Sequence, residues 1–335
     1  MQKRLIKLRF QNGLHFEGFK KEVFEIEGLE NVFDFEESSG PDFIIFGPYG
    51  NDIPEKGNYI RVGYFCENIK PDLSCCEWAF GIPYENEVNN PNYKRIQWHG
   101  TDPKQLIKQG GNQFIPKTKF CNFLYSHKVP YREAFFSQLS RYKKVDAPGM
   151  SMNNMPGIDT LYGGSRWEIK RQFLSDYKFT IAFENDIYPG YQTEKLYDAM
   201  LAGSIPIYCG DPLVGEIFNT KSFINAAEYL PEKSWQTGRQ LTKFGQMDFE
   251  DIRPAFFKSP KNVLKRKIKS SVRNLKTNFL IPGMDFSKLI EQIIALDTQP
   301  ELYLKYQEQP WFKNNSVPEN TFSGKRWIEI FNSRI

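Results

Sequence analysis

The chain has 335 residues, of which 40% are hydrophobic and 25% charged, with a net charge of +4 and a mean hydropathy of −0.55. That length suits two domains of ordinary size better than one core, and the composition is that of a soluble globular protein. No apolar run reaches the roughly 18 residues of a membrane span, and the start MQKRLIKLRFQNG lacks the apolar core of a signal peptide, so a cytoplasmic location is expected. The mild basic bias suits an anionic ligand or surface without demanding one. The five cysteines (Cys66, Cys75, Cys76, Cys121, Cys209) are odd in number and show no zinc spacing, which predicts reduced thiols.

Residues 1–118 alternate strand signals with irregular connections. Leu5 to Phe10, Phe43 to Phe46, Tyr59 to Tyr64, Trp78 to Ile82 and Arg95 to Trp98 read as short strands of a first α/β domain. Gly100 to Lys119, rich in Gly, Pro and Lys, reads as a linker. A second α/β domain is expected over 119–300, opening with a strand at Lys119 to Ser126 and an amphipathic helix at Tyr131 to Tyr142. A Gly- and Asn-rich stretch from Ala147 to Ser165 precedes a short helix at Glu168 to Leu174. An atypical insertion occupies about 230–283. Within it KNVLKRKIKSSVRNLK (261–276) holds seven basic residues and no acidic one, with Leu264, Ile268, Val272 and Leu275 on one helical face. Such a helix fits either an anionic membrane surface or its own domain. It is short for a nucleic-acid patch and carries no nucleic-acid motif, so no nucleic-acid partner is expected. Residues 301–335 read as a helical tail.

Phe183 to Pro212, FENDIYPGYQTEKLYDAMLAGSIPIYCGDP, concentrates the chemistry. The run Phe179 to Phe183 predicts a buried strand. A polar turn follows, then a helix whose N-cap is expected at Thr193 and whose end is marked by Gly203, then a strand at Ile205 to Tyr208. Ligands of open parallel sheets bind at the carboxyl ends of the strands, where this turn lies. Lys195 in the first helical turn can hold an anion that also faces the free N–H groups of the helix start. Glu194 can accept from vicinal sugar hydroxyls. Taken alone, the same residues also describe an ordinary capped helix with a solvated Glu–Lys pair.

The whole string resembles the donor-binding signature of the α-1,3/4-fucosyltransferases, glycosyltransferase family 10, in their bacterial form. The resemblance implies a GT-B fold, two Rossmann-like α/β domains facing an interdomain cleft, and transfer of L-fucose from GDP-fucose to a glycan acceptor with inversion. It implies a GlcNAc or Glc hydroxyl as acceptor, on a bacterial surface polysaccharide of the lipopolysaccharide type. It places the ribose contact at Glu194, diphosphate contacts at Lys195 and Arg132, and loop contacts nearer the nucleotide sugar at Asn185 and Tyr191. SHKVPYREAFFSQLSRYKKVDAPG carries Arg132. The catalytic base is expected at Glu67, within Tyr64-Phe65-Cys66-Glu67-Asn68, with Glu77 as competitor and His99 and His127 as further titratable groups.

Inverting transfer requires a base for the acceptor hydroxyl and positive charge for the departing diphosphate. Lys and Arg can supply that charge, and Asp248-Phe-Glu-Asp251 makes no convincing metal pair, so no metal is expected to be required, with a divalent ion at most stimulatory. Two rival readings are a GT-B enzyme using another nucleotide sugar and a decayed transferase that binds glycans.

Overall fold

The computed structural model describes residues 3–109, 116–242 and 247–334. The chain forms two compact units, one built from Met1–Pro103, Phe244–Ser270 and Pro318–Ile335, the other from Lys104–Lys243 and Ser271–Val317.

The first unit is organised on strands β1 (Arg4–Gln11), β2 (Phe33–Glu37), β3 (Phe43–Phe46), β4 (Ile60–Phe65), β5 (Ile69–Lys70), β6 (Trp78–Gly81) and β7 (Tyr93–Arg95). Six of them make a sheet in the order β2-β1-β3-β4-β6-β7, parallel throughout. All four residues of β3 are buried, as strands covered on both faces of a parallel sheet must be. β2 was not among the predicted strands, because Phe33-Asp-Phe-Glu-Glu37 presents only two apolar residues.

The carboxyl terminus returns to this unit. Helix Gly324–Asn332 buries Trp327, Ile330 and Phe331, and the Trp327 ring stacks on Phe80 at 4.2 Å. Glu27 holds the start of that helix, accepting from Ser323 N at 2.7 Å and Ser323 Oγ at 2.8 Å. Phe249, from the 244–270 segment, packs on Phe46 and Phe65. The predicted boundaries, contiguous blocks at 1–118, 119–300 and 301–335, therefore differ from the observed units. Periodicity reveals that a segment has an apolar face but not which sheet receives it.

The second unit carries β8 (Lys119–Asn122), β9 (Val145–Asp146), β10 (Tyr177–Phe183), β11 (Ile205–Cys209) and β12 (Ile224–Asn225) in the order β12-β11-β10-β8-β9, again all parallel. β8 stops four residues short of the predicted Ser126, and the chain turns toward helix Pro130–Leu139, whose Pro130 occupies the first turn where no N–H is needed. Ser165 and Glu168 form a capping box at the start of helix Arg166–Ser175. Phe120, Phe123, Phe135, Phe179, Phe183 and Ile207 belong to the core between sheet and helices. The predicted linker lies partly at 110–115, outside the described residues.

Helix Pro260–Leu280 extends the predicted 261–276 helix at both ends. Its apolar stripe, Leu264, Ile268, Val272, Leu275 and Phe279, is 46–82% exposed. Among the described residues no helix is long and apolar enough to cross a membrane. The cysteines are free thiols, Cys76, Cys121 and Cys209 being buried.

Candidate active site

β10 is buried at six of seven positions and ends at Phe183, so the residue after it emerges at the carboxyl edge of the sheet. That residue is Glu184, with no solvent exposure. Its Oε1 accepts from Thr193 N at 2.8 Å and its Oε2 from Thr193 Oγ1 at 2.7 Å, while Lys195 Nζ lies 3.2 Å from Oε2. Thr193 does stand at the N-cap position of helix Glu194–Leu201 in an extended conformation, but its side chain makes no capping bond. Glu184 instead anchors the N-cap residue itself, from across the loop. Gly210, at the end of β11, permits the close approach: a Cβ there would fall 2.5 Å from Glu184 Cγ and 2.6 Å from the Tyr208 hydroxyl. Gly203 adopts φ +63° just past the helix end, as expected of a terminating glycine.

Three charges respond to one another here. Burial raises the Glu184 carboxyl above its ordinary range, and Lys195 pulls it back in part. Burial would lower the Lys195 ammonium, yet Glu184 and Glu194 outweigh it and the pKa rises, so Lys195 stays charged. Burial likewise opposes ionisation of Glu194, but Lys195 and Lys170 hold it at about 2. Glu194 Oε1 lies 3.6 Å from Lys195 Nζ and 3.8 Å from Lys170 Nζ. Lys170 is itself anchored by Asp198 Oδ2 at 2.6 Å, which ties helix Arg166–Ser175 to helix Glu194–Leu201. A cavity of about 20 Å³, the size of one water, lies between Lys195, Lys170 and Asn122.

Arg132 belongs to the same neighbourhood and is fully buried. Its Nη1 donates to Phe183 O at 3.2 Å and Asn185 Oδ1 at 3.0 Å, and its Nη2 to His127 O at 2.6 Å. The guanidinium carbon sits 3.5 Å from the Tyr125 ring centroid, and Nε has no hydrogen-bond partner. Every one of these contacts is to a neutral group. A buried cation compensated only by dipoles and an aromatic face favours an anion nearby. Asn185 is thereby fixed by Arg132. Tyr191 is buried and stacks on Tyr188 at 4.9 Å, and its carbonyl accepts from the Tyr208 hydroxyl at 3.2 Å. The structure thus gathers Arg132, Asn185, Tyr191, Glu194 and Lys195 onto one loop cluster.

Glu67 lies in the first unit, exposed, two residues beyond β4. The Tyr49 hydroxyl hydrogen-bonds to it, and burial together with that carboxylate raises the phenol's pKa. Its competitor Glu77 is committed elsewhere. Arg61 grips it through Nη2 to Oε1 at 2.6 Å and backbone N to Oε2 at 2.8 Å. Burial would raise Glu77, but the Arg61 fork keeps it below the usual carboxylate range, which does not suit a base. His99 Nδ1 lies 3.3 Å from the Tyr64 hydroxyl, and burial lowers its pKa while Glu22 and Glu67 oppose the shift. His127 is exposed, and its carbonyl supports Arg132. The side chains of Asp248, Glu250 and Asp251 lie outside the described residues.

Sequence reasoning did not single out Glu184 as a site residue, nor Tyr125 and Lys170 at all. The position of Glu184 directly after a buried strand was the available signal. Lys170 had none, because its partners Glu194 and Asp198 are 24 and 28 positions away in the chain.

Two parallel-sheet α/β units in one chain, with a polar loop at the carboxyl edge of the second sheet, make up the architecture of the GT-B fold. Residues 115–243 match the model of the glycosyltransferase family 10 (fucosyltransferase) C-terminal domain. The chain is 40% identical over 121 residues to a putative fucosyltransferase of Acanthamoeba polyphaga mimivirus, covering 35% of this chain and 20% of that one. It is 32% identical over 219 residues to an α-(1,3)-fucosyltransferase of Helicobacter pylori, covering 63% of this chain and 44% of that one. The chain thus spans less than half the length of these curated relatives. A crystal structure of α1,3-fucosyltransferase superposes with a TM-score of 0.65 over 99% of this chain and 90% of the other, at 20% identity. The same protein with GDP-fucose gives 0.61 over 100% and 91%.

Proposed function

We propose that the protein transfers L-fucose from GDP-fucose to a hydroxyl of a glycan acceptor, with inversion. The observation that carries this reading is the placement of Glu194 and Lys195 in the first turn of helix Glu194–Leu201, at the carboxyl edge of β10, inside the segment that matches family 10. In this mechanism the acceptor hydroxyl attacks the anomeric carbon from the side opposite the departing GDP. Glu67 takes the hydroxyl proton. Lys195 and Arg132 offset the charge that develops on the diphosphate, and Glu194 accepts from the ribose hydroxyls. Asn185, held by Arg132, and Tyr191 shape the loop beside the nucleotide sugar. The two cations provide the compensation that transfer without a required metal needs. The acceptor we assign is O3 of GlcNAc or Glc in a bacterial surface polysaccharide.

The test is fucose transfer from labelled GDP-fucose to a panel of lactose- and N-acetyllactosamine-type acceptors. Thermal-shift titration with GDP, UDP and ADP runs beside it. Transfer to at least one acceptor, with GDP alone stabilising strongly and Lys195→Ala losing both activity and GDP affinity, is the expected result. Stabilisation by UDP or ADP instead would assign another nucleotide sugar. Glycan binding indifferent to GDP, with no transfer, would replace the enzyme by a binding protein.

A second reading concerns location and rests on helix Pro260–Leu280. Its exposed stripe from Leu264 to Phe279 lies on a helix with no acidic residue, and Lys261, Lys265 and Lys267 are exposed with it. An apolar face bordered by cations complements an anionic lipid surface, here the cytoplasmic leaflet. Co-sedimentation with phosphatidylglycerol-containing vesicles should fall sharply for Leu264→Ser/Ile268→Ser/Leu275→Ser. Unchanged sedimentation of that variant would sink the membrane reading.

A further inference from the structure

Trp167 is the second residue of helix Arg166–Ser175 and is 51% exposed, whereas Ile169, Phe173 and Leu174 of that helix are buried. Packing therefore does not account for its presence. Its surroundings give it another role. Lys170 Nζ stands 5.6 Å from the Trp167 ring centroid and 3.8 Å from Glu194 Oε1. Lys195 Nζ lies 3.6 Å from the same carboxylate oxygen. Read from one end, the groups run cation, carboxylate, bridging ammonium, exposed indole. A nucleoside diphosphate runs in the same order: phosphates, ribose, base. With Lys170 against the ring and half the residue's surface in solvent, a large aromatic face remains for a planar ligand.

We propose that Trp167 is the base-stacking residue of the nucleotide site, with Lys170 bridging it to the ribose contact Glu194. The bicyclic ring of a purine covers more of an indole than a pyrimidine does, so the stack favours a purine nucleotide. Asp198 gives the subsite its rigidity, because it anchors Lys170 at 2.6 Å and is 2% exposed. The proposal rests on the donor site described above, but only on its being a nucleotide site, not on fucose as the sugar.

Calorimetric titrations of the wild-type chain, Trp167→Ala and Trp167→Phe with GDP, ADP, UDP and inorganic pyrophosphate test it. Loss of a base–aromatic stack should weaken GDP binding by Trp167→Ala at least ~10-fold. Pyrophosphate affinity should not move, and Trp167→Phe should retain most of the GDP affinity. Unchanged GDP affinity in Trp167→Ala overturns the assignment, as does an equal loss for GDP and pyrophosphate, which would mark a structural effect. If the wild type prefers ADP, the fucose-donor reading falls alone, and Trp167→Ala must then weaken ADP binding; a preference for UDP overturns the purine stack as well. A wild type that binds none of the three nucleotides overturns both.

Discussion

Glu184 Oε2 stands 2.7 Å from Thr193 Oγ1 and 3.2 Å from Lys195 Nζ, so one carboxylate without solvent exposure anchors both a helix start and its cation. Replacing it with alanine removes the acceptor of the Thr193 N–H and leaves Lys195 with one fewer counter-charge. Breaking a buried pair by deleting one partner costs about 3–5 kcal/mol. Glu184→Ala should lose that much stability by urea denaturation, whereas Glu184→Gln, which retains an acceptor for Thr193 N, should lose less. A loss below about 1 kcal/mol in Glu184→Ala, no more than a single helix cap supplies, would remove Glu184 from the anchoring role.

The two carboxylates near β4 and β6 should separate in kinetics. Glu67 touches Tyr49 and is exposed, whereas Glu77 is gripped by Arg61. Glu67→Gln should lower turnover by about 10²–10⁴, the usual worth of a general base, while its affinity for GDP-fucose holds. Glu77→Gln should keep turnover per folded molecule and lose stability. Normal turnover in Glu67→Gln would move the base elsewhere.

Arg132 donates in three directions from a planar fork and lies against Tyr125, a combination that a lysine ammonium cannot reproduce. Arg132→Lys should therefore cost about 2 kcal/mol of stability, the scale of hydrogen bonds to a charged group. It should also weaken GDP binding by releasing Asn185. Isothermal titration with GDP checks the second effect, and an unchanged Kd would confine Arg132 to bracing the loop.

Glu27 supplies a pH dependence with a definite sign. Burial lifts its carboxyl to about 7, against the bonds from Ser323 that favour the charged form. The unfolded chain ionises this group at about 4.3, so between that pH and 7 the folded state holds a proton that the unfolded state has released. Stability from this group is thus full below the unfolded pKa and falls as pH rises to about 7. The difference in unfolding free energy between wild type and Glu27→Gln should shift against the wild type from pH 5 to pH 8. A flat difference would show that Glu27 ionises normally in the fold.

Much of the second unit was legible in the sequence. The strand–loop–helix–strand pattern from Phe179 to Tyr208 marks the polar loop at the sheet edge, because a buried parallel strand is a continuous apolar run and a helix shows its period within two turns. The resemblance to family 10 implies that Glu194, Lys195 and Arg132 share one site. Local pattern also located the basic helix and its apolar stripe. Whether that stripe was covered depends on packing, and it proved exposed.

Only the tertiary structure decided which groups share a charge environment. It showed that Glu184 anchors Thr193 at the start of helix Glu194–Leu201, that Arg132 is buried among neutral partners, and that Glu77 is spent on Arg61. It also brought Lys170 and Trp167 beside Glu194 and returned the 318–335 segment to the first unit. The physical reason is common to all of these. Periodicity and capping chemistry act over a few residues along the chain, whereas ion pairing, burial and ring contact act through space between positions that the sequence does not set side by side.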